Sequence, residues 1–256
     1  MIIIFGQSHM LHAAPSHELE IFHRYSSLDN NLPDWSDWRL LWAQQQSSGD
    51  RLYTELNDID HFDIHDQNLS LGYQHKISSS WQLHTELSAS SAQELFPAYS
   101  LYAGVETKLS PALILNSSLK LSQFDKFDPL TLLSNRAESL LFSGRLELYS
   151  GNHLYGYSLY YTQMQGPLLT DSVLGHSVKY SYIYNDRNNI SFSYALGGEI
   201  DFDKTATLSR SDIESVSLGG MHWLNPTLAV VYTLASHTVI SAYQRNELYL
   251  GLRKLY

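Results

Sequence analysis

Cysteine is absent from the 256-residue sequence. The chain therefore holds no disulfide framework, no thiolate metal site and no cysteine nucleophile. Basic residues are scarce: 16 Lys and Arg stand against 26 Asp and Glu, a formal net charge of −10. Phosphate backbones are bound by clustered cations that displace counterions, so nucleic acid is not an expected partner. Long apolar runs are missing too. The longest, residues 228–235 (LAVVYTLA), is broken by Thr233 and is far short of the ~20 residues that a transmembrane helix needs. A helical membrane protein is excluded. What is plentiful is Tyr, at 18 positions, and Ser, in a chain that is 43% hydrophobic. That apolar content argues against global disorder, and the length suits one domain.

The N-terminus is apolar over residues 1–5 and small at Ala13-Ala14-Pro15, but it lacks the basic stretch and longer apolar core of a secretory signal. Residues 1–16 read as a signal-peptide remnant or a disordered N-terminus, and residues 17–256 as one β-domain.

From there the pattern has a period of two. Leu83-Thr85-Leu87, Tyr155-Tyr157-Leu159-Tyr161, Val178-Tyr180-Tyr182-Tyr184, Ile190-Phe192-Tyr194-Leu196 and Leu248-Leu250-Leu252 each fall on one face of an extended strand. The residues between them are small, polar or charged. The seven prolines all lie outside the alternating runs, as expected of a residue that cannot donate to a sheet ladder. About fourteen strands are predicted (12–16 fit the pattern): 17–25, 36–46, 50–58, 67–76, 79–89, 98–108, 112–123, 136–149, 154–164, 173–184, 189–199, 213–223, 227–237 and 246–256. Their connections alternate between short turns and long loops. An even number of strands of about 9–11 residues, with turns at one end and loops at the other, is the layout of a transmembrane antiparallel up-and-down β-barrel. Both termini then lie on the short-turn, periplasmic side.

Alternation does not say whether the apolar face meets lipid or a dry core, so a soluble β-sandwich is the competing reading. Three features favour the barrel. The polar face balances Glu18, Glu20, Glu55, Glu86, Glu106 and Glu147 against Arg24, Arg39, Lys120, Arg145, Lys179 and Arg253, which suits a wet lumen. Trp42, Tyr73, Trp81, Tyr149, Tyr155, Tyr184, Trp223 and Tyr256 gather beside the short turns, as in an interfacial girdle. The last predicted strand ends on Tyr256 and carries Gly251 five residues before it. That ending is similar to the signal read by the outer-membrane barrel-assembly machinery, except that Lys254 stands where an apolar residue is usual.

In order and texture the sequence resembles the YaiO-type outer-membrane β-barrel family. The resemblance rests on Leu71-Gly72-Tyr73 and Trp81 around a short turn, on residues 121–128 (LSQFDKFD) at a strand exit, and on Ser158-Leu159-Tyr160-Tyr161-Thr162. Gly197-Gly198-Glu199 and Ser215-Val216-Ser217-Leu218 complete it. It implies an outer-membrane address among lipid and lipopolysaccharide. By association alone, it also implies a link to polysaccharide handling. It carries no catalytic signature.

The densest cluster of potential metal ligands is Asp58, Asp60, His61, Asp63, His65 and Asp66, placed by the reading on a long loop. The spacing is irregular and no Gly supplies an EF-hand turn, so a solvated acidic tip is expected and no metal or other cofactor is. No G-x-S-x-G, H-E-x-x-H or phosphate loop occurs, and no catalytic residue is assigned. The expected lumen lining is Arg24, Arg39, Glu55, His84, Glu86, Tyr102, Glu106, Lys120, Arg145, Glu147, Tyr160, Lys179 and Arg253. The expectation is a passive channel or scaffold of the outer membrane, with polysaccharide as candidate cargo. The alternative is an outer-membrane enzyme acting on lipid or polysaccharide, for which Ser, His and an acid would have to converge in space.

Overall fold

The computed structural model describes residues 17–29, 32–61, 64–92, 95–128, 133–167, 169–202, 208–240 and 242–256. The expected N-terminal segment, residues 1–16, lies outside them. Among the described residues the chain forms fourteen strands and no helix. The first seven are β1 (His17–Leu28), β2 (Trp35–Gln45), β3 (Arg51–His61), β4 (Ile64–Lys76), β5 (Trp81–Ser90), β6 (Tyr99–Ser110) and β7 (Leu113–Asp128). The rest are β8 (Leu133–Ser150), β9 (His153–Gln165), β10 (Thr170–Tyr184), β11 (Asn188–Phe202), β12 (Leu208–Asn225), β13 (Leu228–Val239) and β14 (Tyr243–Leu255). Each strand pairs antiparallel with its sequence neighbours, and β1 pairs with β14 from Glu18–Leu255 to Leu28–Arg245, which closes the barrel.

The strands are tilted. One hydrogen-bonded row runs from Glu18 through Ala43, Tyr53, Gly72, Glu86, Tyr102, Lys120, Leu141 and Thr162 to Val173. It starts at the short-turn end of β1 and finishes near the loop end of β10, as closure of a sheared sheet requires.

The apolar face points outward. Leu40 lies opposite Leu56, Leu71 opposite Leu87, and Leu87 opposite Leu101. Trp38, Leu71 and Leu87 are 53%, 54% and 62% exposed, whereas Ala43 and Tyr53 on the other face are 1% and 3% exposed. A soluble sandwich would invert this pattern. A continuous outer wall of Leu, Val, Ile and aromatic residues is stable only against hydrocarbon. The chain is a transmembrane β-barrel, and among the described residues each strand is paired on both sides, which leaves the sheet without a free edge.

Two details of the sequence reading change. Tyr149 and Trp223 share the inward parity of Glu147 and Met221, so they leave the girdle; Trp223 is instead capped by the Arg187 guanidinium 3.6 Å from its ring centroid. The loops are also shorter than expected. β3 and β4 meet as a hairpin with His61 opposite Ile64, where a long loop over residues 58–66 was predicted. β7 and β8 continue to pair up to Asp128–Leu133, and β11 and β12 up to Phe202–Leu208. The wall over β7–β12 therefore stands taller than that over β1–β6: β8 and β12 each have 18 residues, β5 only 10.

At the short-turn end the β2–β3 turn is organised by Asp50. Its carboxylate accepts from the Lys76 backbone N–H at 2.9 Å, from Ser48 Oγ at 2.9 Å and from Tyr73 OH at 3.0 Å, with His75 Nδ1 also at 3.0 Å. The Lys76 amide and these side chains hold its pKa down at about 2.

Candidate functional site

The site is the inner wall. All thirteen expected lining residues have the inward parity and none belongs to the exposed face. The structure distributes them over three zones and a facing wall.

The first zone, toward the short-turn end of β1–β3 and β14, is an ionic lattice. Glu18 takes Arg51 at 3.2 Å and Arg253 at 3.3 Å, Arg253 also pairs with Glu20, and Arg39 pairs with Glu55 at 2.5 Å. Alternating acid and base on adjacent strands neutralises groups that would otherwise be costly to enclose.

The second zone crosses β3–β7 at mid-height. Tyr53 OH hydrogen-bonds Glu86 and lies 2.7 Å from His84 Nε2. The Tyr102 ring meets His84 edge-on at 4.8 Å, and Lys120 stands opposite Tyr102 in the ladder. Tyr53 reaches Glu86 because its partner in β4 is glycine: a Cβ on Gly72 would sit 2.0 Å from the phenol ring. The same arrangement recurs where Phe22 lies across Gly251 and Tyr160 across Gly175. Glycine opposite an inward aromatic lets the ring lie flat on the wall, so these rings cover backbone.

The third zone is the loop end of β1–β3 and β12–β14. Asp37 pairs with Arg24 and with His61 at 2.6 Å. His61 stacks on Trp35 at 4.2 Å, and the Arg245 guanidinium lies over Trp35 at 4.6 Å. Glu247 faces Arg24 at 3.7 Å, His237 at 3.7 Å and Arg245 at 3.8 Å. Ser215 Oγ lies 2.8 Å from His237 Nδ1.

The facing wall, β7–β11, is different in kind. It carries Ser118 on Ser143 at 2.6 Å, and Ser193 on Ser217 of β12 at 2.6 Å, with Arg145–Glu147 at 3.2 Å. Glu106 stands opposite Gln82 and Asn116, and Lys179 opposite Gly156 and Ser193. At its loop end this wall turns apolar: Ala137, Met164, Val173 and Ile200 form a buried cluster against Phe124 and Leu208. Ile200 and Leu208 join it because the burial phase of β11 changes at Gly197-Gly198, which leaves Glu199 exposed and Ile200 buried.

The structure separates the acidic candidates that lie among the described residues. Asp58, Asp60 and His65 lie on the outer parity of the β3–β4 hairpin, where Gln67 donates to Asp58 at 2.7 Å and His65 stands 3.7 Å away. His61 turns inward onto Asp37. Asp66, also inward, accepts backbone N–H groups of Gln67, Ala92, Leu95 and Phe96 at 2.8–3.1 Å and so anchors the β5–β6 connection. Asp63 lies outside the described residues. Among the described residues no three His, Asp or Glu converge as metal ligands.

Sequence reasoning did not single out Asp37, Arg51, Tyr53, Ser215, His237, Arg245 or Glu247. Parity was the available signal, since Asp37 is two residues from Arg39, and Arg51 and Tyr53 precede Glu55 by four and two. The meeting of Ser215, His237 and Glu247 depends on the register of β12, β13 and β14, which no single strand contains.

Comparison with known proteins places this geometry. No curated protein sequence matches the chain. Among solved structures it is similar to a CymD monoaromatic hydrocarbon channel, with a TM-score of 0.65 at 8% identity over 95% of this chain and 89% of that one. It is likewise similar to a bacterial polysaccharide outer membrane secretin, with a TM-score of 0.60 at 13% identity over 96% and 100%. A loop-deleted OmpT of Vibrio cholerae gives 0.57 at 11% identity over 94% and 98%. At these identities the likeness is one of fold. The family model described as the YaiO membrane beta barrel domain matches residues 16–201. The chain belongs to the YaiO membrane β-barrel family.

Proposed function

We propose that this protein is an integral outer-membrane channel for polar solutes, with an extended polyhydroxylated chain such as a polysaccharide as its largest cargo. One observation carries the reading: inside a fully closed, lipid-facing cylinder, the wall is built of paired charges, serines and flat-lying rings rather than of a packed apolar core. Hydroxyls and amides along such a wall can exchange hydrogen bonds with a moving solute, and aromatic faces can stack on sugar rings. Fourteen strands give a width between filled small barrels and open porins. The fold is shared with proteins titled as a hydrocarbon channel and a polysaccharide secretin, which is compatible with transport and does not choose the cargo. In this reading the short turns and both termini face the periplasm, the taller β7–β12 wall faces outward among lipopolysaccharide, and the chain is inserted by the barrel-assembly machinery.

Planar-bilayer recording of the purified, heat-modifiable protein tests it. Discrete conductance steps are expected. A folded protein that passes no current at any voltage overturns the channel. Liposome swelling with neutral oligosaccharides tests the cargo. Ion current without sugar entry removes the polysaccharide and leaves a small-solute channel.

A further inference from the structure

The loop end of β12–β14 holds a constellation that a passive wall does not require. Ser215, His237 and Arg245 occupy one hydrogen-bonded row across the three strands. Ser215 Oγ lies 2.8 Å from His237 Nδ1, and His237 Nε2 faces Glu247 Oε2 at 3.7 Å. The carboxylate beside Nε2 favours the tautomer with its proton on that nitrogen. Nδ1 is then an acceptor, and Ser215 donates its hydroxyl proton to it. This is the relation of nucleophile, base and orienting acid, with the two imidazole nitrogens used in the reverse of the familiar sense.

A second observation is independent of that hydrogen bond. His237 Nε2, Glu247 Oε2 and Arg245 Nε are all buried and have no hydrogen-bond partner among the described residues. Side chains placed only to brace the wall would close on one another. Here Arg24, Arg245 and His237 stand 3.7–3.8 Å from a single carboxylate oxygen, within ion-pair range but beyond hydrogen-bond distance. The Arg245 guanidinium is also held over Trp35 at 4.6 Å.

We propose that Ser215, His237 and Glu247 form an acyl-transfer site that acts on carboxylic esters entering the loop-end mouth, such as O-acyl groups on a polyhydroxylated solute. Ser215 Oγ attacks the ester carbonyl and its proton passes to His237 Nδ1. Glu247 closes on Nε2 to steady the imidazolium. As the tetrahedral adduct collapses, the C–O bond to the alcohol breaks and the departing oxygen takes the proton from His237. Water then attacks the acyl-Ser215 ester, giving its proton to His237; as this second adduct collapses, the bond to Ser215 Oγ breaks, Oγ takes that proton back from His237 and a carboxylic acid leaves. No cofactor enters the balance.

The test is covalent labelling of the folded full-length barrel with a fluorophosphonate, followed by peptide mass mapping and hydrolysis of p-nitrophenyl acetate. One phosphonyl adduct on Ser215 is expected. Ser215→Ala and His237→Ala should each lower ester turnover at least 100-fold, and Glu247→Gln about 10- to 100-fold. Ser217→Ala, whose hydroxyl bonds only Ser193 among the described residues, should keep both labelling and turnover. Heat-modifiable migration of every variant establishes that it has folded. Absence of an adduct on folded wild type, an adduct on another serine, or turnover unaffected by Ser215→Ala overturns the proposal. Conductance is recorded on the same wild-type preparation, so a conducting barrel without an adduct overturns the esterase and leaves the channel reading standing, and a labelled barrel that passes no current does the reverse.

Discussion

Asp50 shows how a single side chain fixes a turn. Its carboxylate answers the Lys76 amide, Ser48, Tyr73 and His75, and its pKa is lowered from the ordinary 3.8 to about 2. A group lowered on folding contributes stability that is complete above its unfolded pKa and is lost as pH falls through the folded one. Wild type should therefore lose urea resistance between about pH 4 and pH 2. Asp50→Asn should start lower at neutral pH and lose less across that window; equal pH dependence of the two proteins would show that Asp50 does not carry the effect. Gly72 shows the opposite constraint, a place where a side chain must be missing. A Cβ there would lie 2.0 Å from the Tyr53 ring, whereas one on Gly144 would meet nothing within 4 Å. Gly72→Ala should cost about 1–3 kcal/mol by overpacking and Gly144→Ala less than about 0.5 kcal/mol, both read from urea unfolding in vesicles. Tyr53→Leu should recover part of the Gly72→Ala loss.

The strands were legible where they touch lipid and illegible where they leave it. The period of two located all fourteen, and Leu113–Asp128 and Leu133–Ser150 were expected as 112–123 and 136–149. The missing ends contain Asp125 opposite Arg136 and Lys126 opposite Asn135. Hydrophobic alternation reports contact with hydrocarbon, not backbone pairing. Once a hairpin leaves the hydrocarbon its outer face no longer has to be apolar, and the ladder continues without the alternating pattern. Asp58, Asp60 and His61 were read as loop for the same reason. Facing follows the same logic and can be tested on neighbours of opposite parity: Leu119→Arg should cost about 2–4 kcal/mol near the bilayer centre, and Ser118→Arg, which points inward, well under half of that. Similar costs at both positions would contradict the assigned facing. At the loop end, Met164 belongs to the apolar cluster with Val173 and Ile200. Met164→Ala should raise single-channel conductance, and an unchanged value would show that this cluster does not border the path.

The molecule as a whole separates two chemistries across one layer of backbone, and the sequence conveyed this separation better than it conveyed the site. Parity alone places Arg24, Glu55, Lys120 and Lys179 on a common wall. It cannot say that Glu247 meets His237 rather than some other acid, because that depends on how far one strand slides past the next. The closing seam has a bearing on how such a wall comes into being. β1 and β14 are held by eleven residue pairs from opposite ends of the described chain, Glu18–Leu255 to Leu28–Arg245. Removing residues 243–256 should abolish the heat-resistant fast-migrating band on unboiled gels altogether, and a surviving band would mean that thirteen strands close on their own. Until that seam is made, β1 and β14 are both raw edges and the greasy outer surface has no lipid to rest on. Folding is thus tied to closure: β1 stays unpaired on one side until β14 arrives.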